Sequence, residues 1–191
     1  MGRKLEGKRI AILATDGVEQ IELTSPREAL EMAGAVVVLI SPKGGRGTSI
    51  RGWDHDDWGR DFEVDRSVSE SEAGDFDGLL LPGGVMNPDA LRTDADAVRF
   101  VRSFFESHTP VAAICHAPWV LVEADVVRGR KLTSYPSLRT DLRNAGAEWV
   151  DQPAVVDQGL VTSRRPSDLE AFNHEMVEEF AAGRHAGQRA G

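Results

Sequence analysis

A second cysteine is missing from these 191 residues, so Cys115 can form no disulfide within the chain, which fits a reducing, cytoplasmic setting. No apolar run approaches the ~20 residues a membrane-spanning helix needs, and no membrane partner is expected. The basic start, MGRKLEGKRIAILATD, has too short an apolar run, with charged neighbours, for the core of a signal peptide. Lys/Arg runs never exceed the pair Arg164-Arg165 and the formal charge is −9, so the cationic patches that bind phosphate backbones are absent and nucleic acid is not an expected partner. Apolar content is ordinary at 41%, which argues against disorder and against a fibrous protein. No repeat or linker divides the chain. One domain over 1–191 is expected, with its core at about 8–182 and a frayed tail over 183–191.

Short, wholly apolar runs alternate with amphipathic ones. Strands are expected at 8–15, 35–40, 77–81 (halted by the turn Pro82-Gly83-Gly84) and 110–114, and a two-strand hairpin at AVVDQGLVTS turning at Gln158-Gly159. Helices are expected after Asp94 as N-cap, over HAPWVLVEA, over PSLRTDLRNAG as far as Gly146, and over PSDLEAFNHEMVEEFAA. SPRE reads as a capping box, with Ser25 as N-cap, Pro26 at the first helical position and Glu28 reaching back. A short turn carrying Glu19 and Glu22 would then precede the main helix, which Gly34 ends. Residues 41–70, Gly-rich and charged, read as a loop with short strands. Buried strands alternating with helices predict an α/β fold, a mostly parallel sheet covered on both faces.

In such a sheet, ligands bind beyond the carboxyl ends of the strands. Three strands end in residues with chemical potential: the first leads to Glu19 and Glu22, the third to Gly83-Gly84, the fourth to Cys115-His116. Strand, cysteine and helix in succession form a nucleophile elbow, with the small residues Ala113 and Ala117 flanking it. The dipole of the following helix favours the thiolate there, and the amides of His116 and Gly84 are candidate oxyanion donors. Structural alternatives stand beside each reading. Cys115 also fits a core thiol, His116 a surface residue at a helix start, Gly83-Gly84 a strand terminator, and Glu19 and Glu22 solvated charges. In NPDAL, Asn87 reads as an N-cap, Pro88 as the first helical residue and Asp89 as a favourable first-turn charge. WDHDDW offers oxygen and imidazole ligands on one loop without a ligand spacing, so no metal is assigned. His108, His174 and His185 have weaker claims, on a helix end, a helix interior and the tail.

At DGVEQIEL, WDHDDWG, DFDGLLLPGG, NPDAL, AAICHAPW, TSYPSLRTDLRNAGAEWVD and LVTSRRPSDLEAF the sequence resembles the PfpI/ThiJ family of intracellular cysteine hydrolases and stress proteins, over about 8–180. The resemblance implies a flavodoxin-like three-layer sandwich of the class I glutamine amidotransferase type. It implies Cys115 as nucleophile and His116 as its partner, with Asp89 of a neighbouring subunit as the acid where the family often has glutamate. It places Glu22 against the nucleophilic sulfur, makes Glu19 the second acid of that turn, and puts Tyr135 where glyoxalase-like relatives carry histidine. Gly83 and Gly84 line the substrate site, and no cofactor is called for. The family forms dimers and hexamers, so a homo-oligomer is expected, acting on peptides or on glycated or glyoxal-damaged proteins. Two other functions stay open: a redox sensor in which Cys115 is oxidised, and glyoxalase-type chemistry on small dicarbonyls, against which Tyr135 counts. A glutamine amidotransferase is disfavoured, since His174 lies inside an amphipathic helix.

Overall fold

The computed structural model describes residues 3–188 and Ala190. In chain order the elements are β1 (Arg9–Leu13), β2 (Val18–Glu19), α1 (Gln20–Met32), β3 (Val36–Ser41), β4 (Ser49–Asp54), β5 (Asp57–Glu63), β6 (Arg66–Ser67), β7 (Gly78–Leu81), α2 (Met86–Leu91), α3 (Ala95–Glu106), β8 (Val111–Ile114), α4 (Pro118–Glu123), β9 (Lys131–Leu132), α5 (Arg139–Asn144), β10 (Glu148–Trp149), β11 (Ala154–Asp157), β12 (Leu160–Ser163) and α6 (Leu169–Ala182).

Seven strands form the central sheet in the order β11-β12-β8-β7-β1-β3-β6, parallel except for β11. Successive side chains of a strand point to opposite faces, so each apolar strand feeds two cores. Leu79, Leu81, Val111 and Ala113 pack with Phe100 and Phe104 of α3, Leu121 of α4 and Leu142 of α5. Ile10, Ile12, Leu80, Ala112 and Ile114 pack with Leu23 and Leu30 of α1 and Phe172, Met176 and Phe180 of α6. The result is the three-layer α/β sandwich the alternation implied. Asp94 caps α3 as expected, accepting from the Ala97 amide at 2.8 Å.

Three local expectations change. α1 is one helix from Gln20, with Pro26 inside it rather than at its start. Ser25 is no cap; its hydroxyl accepts from Asn173 Nδ2 on α6 at 2.9 Å. Burial of Leu23, Pro26 and Leu30 sustains the helix across the hydrogen bond that proline cannot make. The short strands expected within residues 41–70 are longer and paired: residues 49–63 form an antiparallel hairpin, with a register shift between Arg51 and Trp53, joined to β2 in a separate small sheet. The tail expected to fray lies against the turn after α3: the His185 amide donates to the His108 carbonyl at 3.0 Å, and His108 Nδ1 lies 2.6 Å from the Gln188 carbonyl. Positions 189 and 191 of that tail lie outside the described residues.

Candidate active site

Parallel register brings the site together. Leu81 on β7 pairs with Ala113 on β8, so two residues further on Gly83 meets Cys115. A Cβ placed on Gly83 would lie 2.6 Å from Cys115 Cβ and 2.6 Å from Glu22 Oε2. Cys115 itself adopts φ 64°, the left-handed backbone of a strained elbow. Three hydrogen bonds hold that backbone: the Cys115 amide donates to the Ser163 carbonyl at 3.1 Å, the Cys115 carbonyl accepts from the Tyr135 amide at 2.8 Å, and the Ala117 amide returns to the Ile114 carbonyl at 3.1 Å.

Cys115 Sγ lies 3.1 Å from His116 Nδ1, and His116 Nε2 lies 3.1 Å from Ser137 Oγ. His116 is not the surface residue one reading allowed. It is buried, stacked on Tyr135 with centroids 4.6 Å apart and tilted against Trp119 at 5.4 Å. Burial holds its pKa below the ordinary 6.5, so it is a neutral imidazole at pH 7.

Glu22, in the first turn of α1, is fully buried beside the sulfur. Its Oε2 accepts from the Gly83 amide at 3.0 Å, while Oε1 has no hydrogen-bond partner among the described residues. Desolvation pushes its pKa up to about 8, so it carries its proton at neutral pH. Burial, with repulsion from Glu22, also drives the Cys115 thiol well above its usual range. Those two effects outweigh the amides of Gly84 and His116, both directed at the sulfur. The thiolate expected from the helix dipole is therefore not the resting form. α4 has only six residues, and its dipole is too small a charge to overcome desolvation.

Gly84 must be glycine: its φ is +77°, and a Cβ would meet the Gly17 carbonyl at 2.6 Å. Asn87 is not a helix cap. Fully buried inside α2, it accepts from the Thr15 amide at 2.8 Å and donates to the Pro82 and Gly83 carbonyls at 2.9 and 3.0 Å. It ties the ends of β1 and β7 together under the site. Asn87→Ala leaves these groups unpaired and is expected to lower stability by about 2 kcal/mol, read as a lower urea midpoint at unchanged slope.

The sulfur faces a cavity of about 690 Å³. Glu19, Glu22, Gly84, Cys115, His116 and Tyr135 line it on the chemical side, and Trp53, Trp58, Val85 and Met86 form apolar walls. Trp53 and Trp58 come from opposite strands of the hairpin and pack edge to face at 5.5 Å. His55, at the hairpin turn, lies 3.8 Å from Glu19, whose pKa burial raises. WDHDDW thus walls the cavity, and no group of three or more metal-ligating side chains occurs among the described residues. Asp89 is exposed on α2, and its carboxylate has no hydrogen bond or ion pair among the described residues. His108, His174 and His185 lie outside the cavity. Sequence reasoning missed Ser137, the Asn87 tie and the aromatic wall; only the two Trp residues of WDHDDW gave any local signal.

The sequence matches the DJ-1/PfpI family over residues 8–179. A Bacillus subtilis protein named "Putative cysteine protease YraA" is 45% identical over 170 residues, covering 89% of this chain and 96% of its own. "Protein/nucleic acid deglycase 2" of Escherichia coli is 45% identical over 176 residues, covering 92% and 99%. Among solved structures, Drosophila melanogaster DJ-1beta superposes with a TM-score of 0.81 at 31% identity, covering 91% of this chain and 90% of its own.

Proposed function

The chain belongs to the DJ-1/PfpI family, and from that premise we propose that it is a stress-related cysteine hydrolase acting on a carbonyl of a peptide or of a glycated or glyoxal-damaged protein. The observation that carries this reading is the elbow itself: a cysteine held at φ 64° with an imidazole nitrogen 3.1 Å from its sulfur, at the floor of a cavity.

Because thiol and imidazole both rest neutral, His116 acts as general base during attack rather than as half of a standing ion pair. The thiol proton passes from Sγ to Nδ1. The sulfur forms a bond to the carbonyl carbon, and the carbonyl π electrons move to oxygen. Once the sulfur is bonded, the amides of Gly84 and His116 are free to hold that oxyanion. At a peptide carbonyl the His116 proton goes to the leaving amine as its bond to carbon breaks, and water then adds to the thioester, giving the carboxylic acid and returning the Cys115 thiol. Trp53, Trp58 and Met86 offer an apolar wall for the group next to the carbonyl. Asp89 enters only through a second copy of the chain, as an acid approaching the exposed side of the site.

Cys115→Ser is expected to reduce turnover of fluorogenic peptides and methylglyoxal-modified proteins at least about 10³-fold, as loss of a nucleophile does. Equal rates for Cys115→Ser and wild type would sink the hydrolase reading. Glu22 favours a second reading. A carboxyl that keeps its proton to about pH 8 beside the sulfur can donate a hydrogen bond to an oxidised sulfur. Two equivalents of peroxide would then add two oxygens to Cys115, read by mass spectrometry, in a protein without turnover.

A further inference from the structure

We propose that Ser137 is the positioning residue for His116, its hydroxyl holding Nε2 so that Nδ1 faces the thiol and accepting from Nε2–H once the ring takes up the thiol proton; this rests on the reading of His116 as the base of a cysteine hydrolase. The observation is the pair of contacts on one ring, Sγ at Nδ1 and Ser137 Oγ at Nε2, each 3.1 Å.

Ser137 is exposed, but its backbone is held. It lies in the 3₁₀ turn Pro136–Leu138, which is pinned at both ends. The Tyr135 amide donates to the Cys115 carbonyl at 2.8 Å, and Leu138, fully buried, returns its amide to the Tyr135 carbonyl at 3.0 Å. The strand before it is held by the Thr133 amide on Thr162 Oγ1 at 2.9 Å, and Ser134 Oγ accepts from Trp149 Nε1 at 2.9 Å. One short segment therefore supplies the ring stacked on His116, the bond to the elbow carbonyl and the hydroxyl at Nε2.

The chemistry follows from hydrogen-bond inventory. A neutral imidazole has one N–H and one bare nitrogen, and only a bare Nδ1 can take the thiol proton. A serine hydroxyl can donate or accept and so meets either neutral tautomer; with Nε2–H donating to its oxygen, Nδ1 is left bare to take the thiol proton. When the proton moves from Sγ to Nδ1, the same oxygen still accepts from Nε2–H of the imidazolium, and its own hydrogen stays available to water or to an acceptor on a second copy. A carboxylate would hold the imidazolium more strongly. A hydroxyl leaves the resting pair neutral, consistent with the neutral resting state of His116.

The test reads the thiol without needing a substrate: the rate of Cys115 alkylation by iodoacetamide against pH. Glu22, with Glu19 behind it, faces the site from α1 and β2 and is unchanged in every variant. Ser137→Ala is expected to slow alkylation at pH 7 about tenfold, the worth of one hydrogen bond to a charged group, and to move the profile to higher pH at an unchanged melting temperature. Ser137→Thr restores the wild-type profile, and Ser137→Asp raises the rate at pH 7. In turnover, Ser137→Ala lowers kcat and leaves KM. A Ser137→Ala profile that superimposes on wild type, or one that Ser137→Thr fails to restore, overturns the proposal. Absence of turnover in the wild-type protein would remove the hydrolase reading while leaving the alkylation result to decide the role of Ser137.

Discussion

The Gly83→Ala variant is expected to lose about 3 kcal/mol or more of stability, at the upper end of what one added core methyl does, together with the organised site. The backbone of Gly83 is not in the left-handed region, so the argument is one of space. The new methyl would lie 2.6 Å from Cys115 Cβ, 2.6 Å from Glu22 Oε2 and 2.7 Å from the Ile114 carbonyl. Two of those atoms belong to the β8 strand end and the strained elbow and cannot rotate away. The third can move only by giving up the hydrogen bond from the Gly83 amide to a fully buried carboxyl. Relief therefore means spreading the ends of β7 and β8, which are the ends that carry the site. Gly74→Ala is the matched control, since nothing lies within 4 Å of a Cβ there and its φ is ordinary. Urea unfolding of the two variants should separate them widely, with Gly74→Ala near wild type. Coincident midpoints would mean that the close approach of β7 to the elbow is not a constraint.

This close approach was legible in the sequence, and the reason is instructive. Gly83-Gly84 after an apolar strand, and small residues around Cys115, are what the backbone needs where two strand ends and a helix meet. Short-range patterns of this kind are written into residue size and order. Ser25 shows the opposite case: SPRE has the composition of a cap, but α6 supplies an asparagine for that hydroxyl and Pro26 is buried inside the helix, so tertiary packing overrides the local preference. The hairpin of β4 and β5 was legible only as short strands within a loop, because most of its positions are exposed and carry no run of alternating apolar residues. Ser137 had no signal at all; a serine in a surface turn acquires a role only when a distant elbow places an imidazole beside it. The charge state of Cys115 was likewise a tertiary outcome. Order along the chain gives the helix that follows the thiol, but not the depth of burial or the acid that β2 and α1 bring to it.

That acid yields the second large effect. Glu22→Gln is expected to abolish a fall in stability that the wild-type protein shows as pH rises from 6.5 to 8. In the unfolded chain the Glu22 carboxyl ionises near its ordinary 4.5, whereas in the folded chain burial holds the proton to about 8. Between those values the folded state binds the extra proton, so stability is fully present at low pH and declines as pH rises, by about 1.4 kcal/mol per pH unit and about 5 kcal/mol in all. His116 works in the other direction, since burial lowers its pKa and only the unfolded chain takes up its proton near 6.5. Above that pH the Glu22 contribution stands without this opposing one. Urea unfolding at pH 6.5 and 8 should therefore show wild type losing about 2 kcal/mol and Glu22→Gln nearly level. The same variant should alkylate faster than wild type above pH 8, where the ionised Glu22 of the native protein repels a thiolate. A wild-type protein whose stability is level across this range would mean that Glu22 is already ionised at neutral pH. The oxidation reading would then lose its hydrogen-bond donor, and hydrolysis through a His116-activated thiol would be the reading left standing.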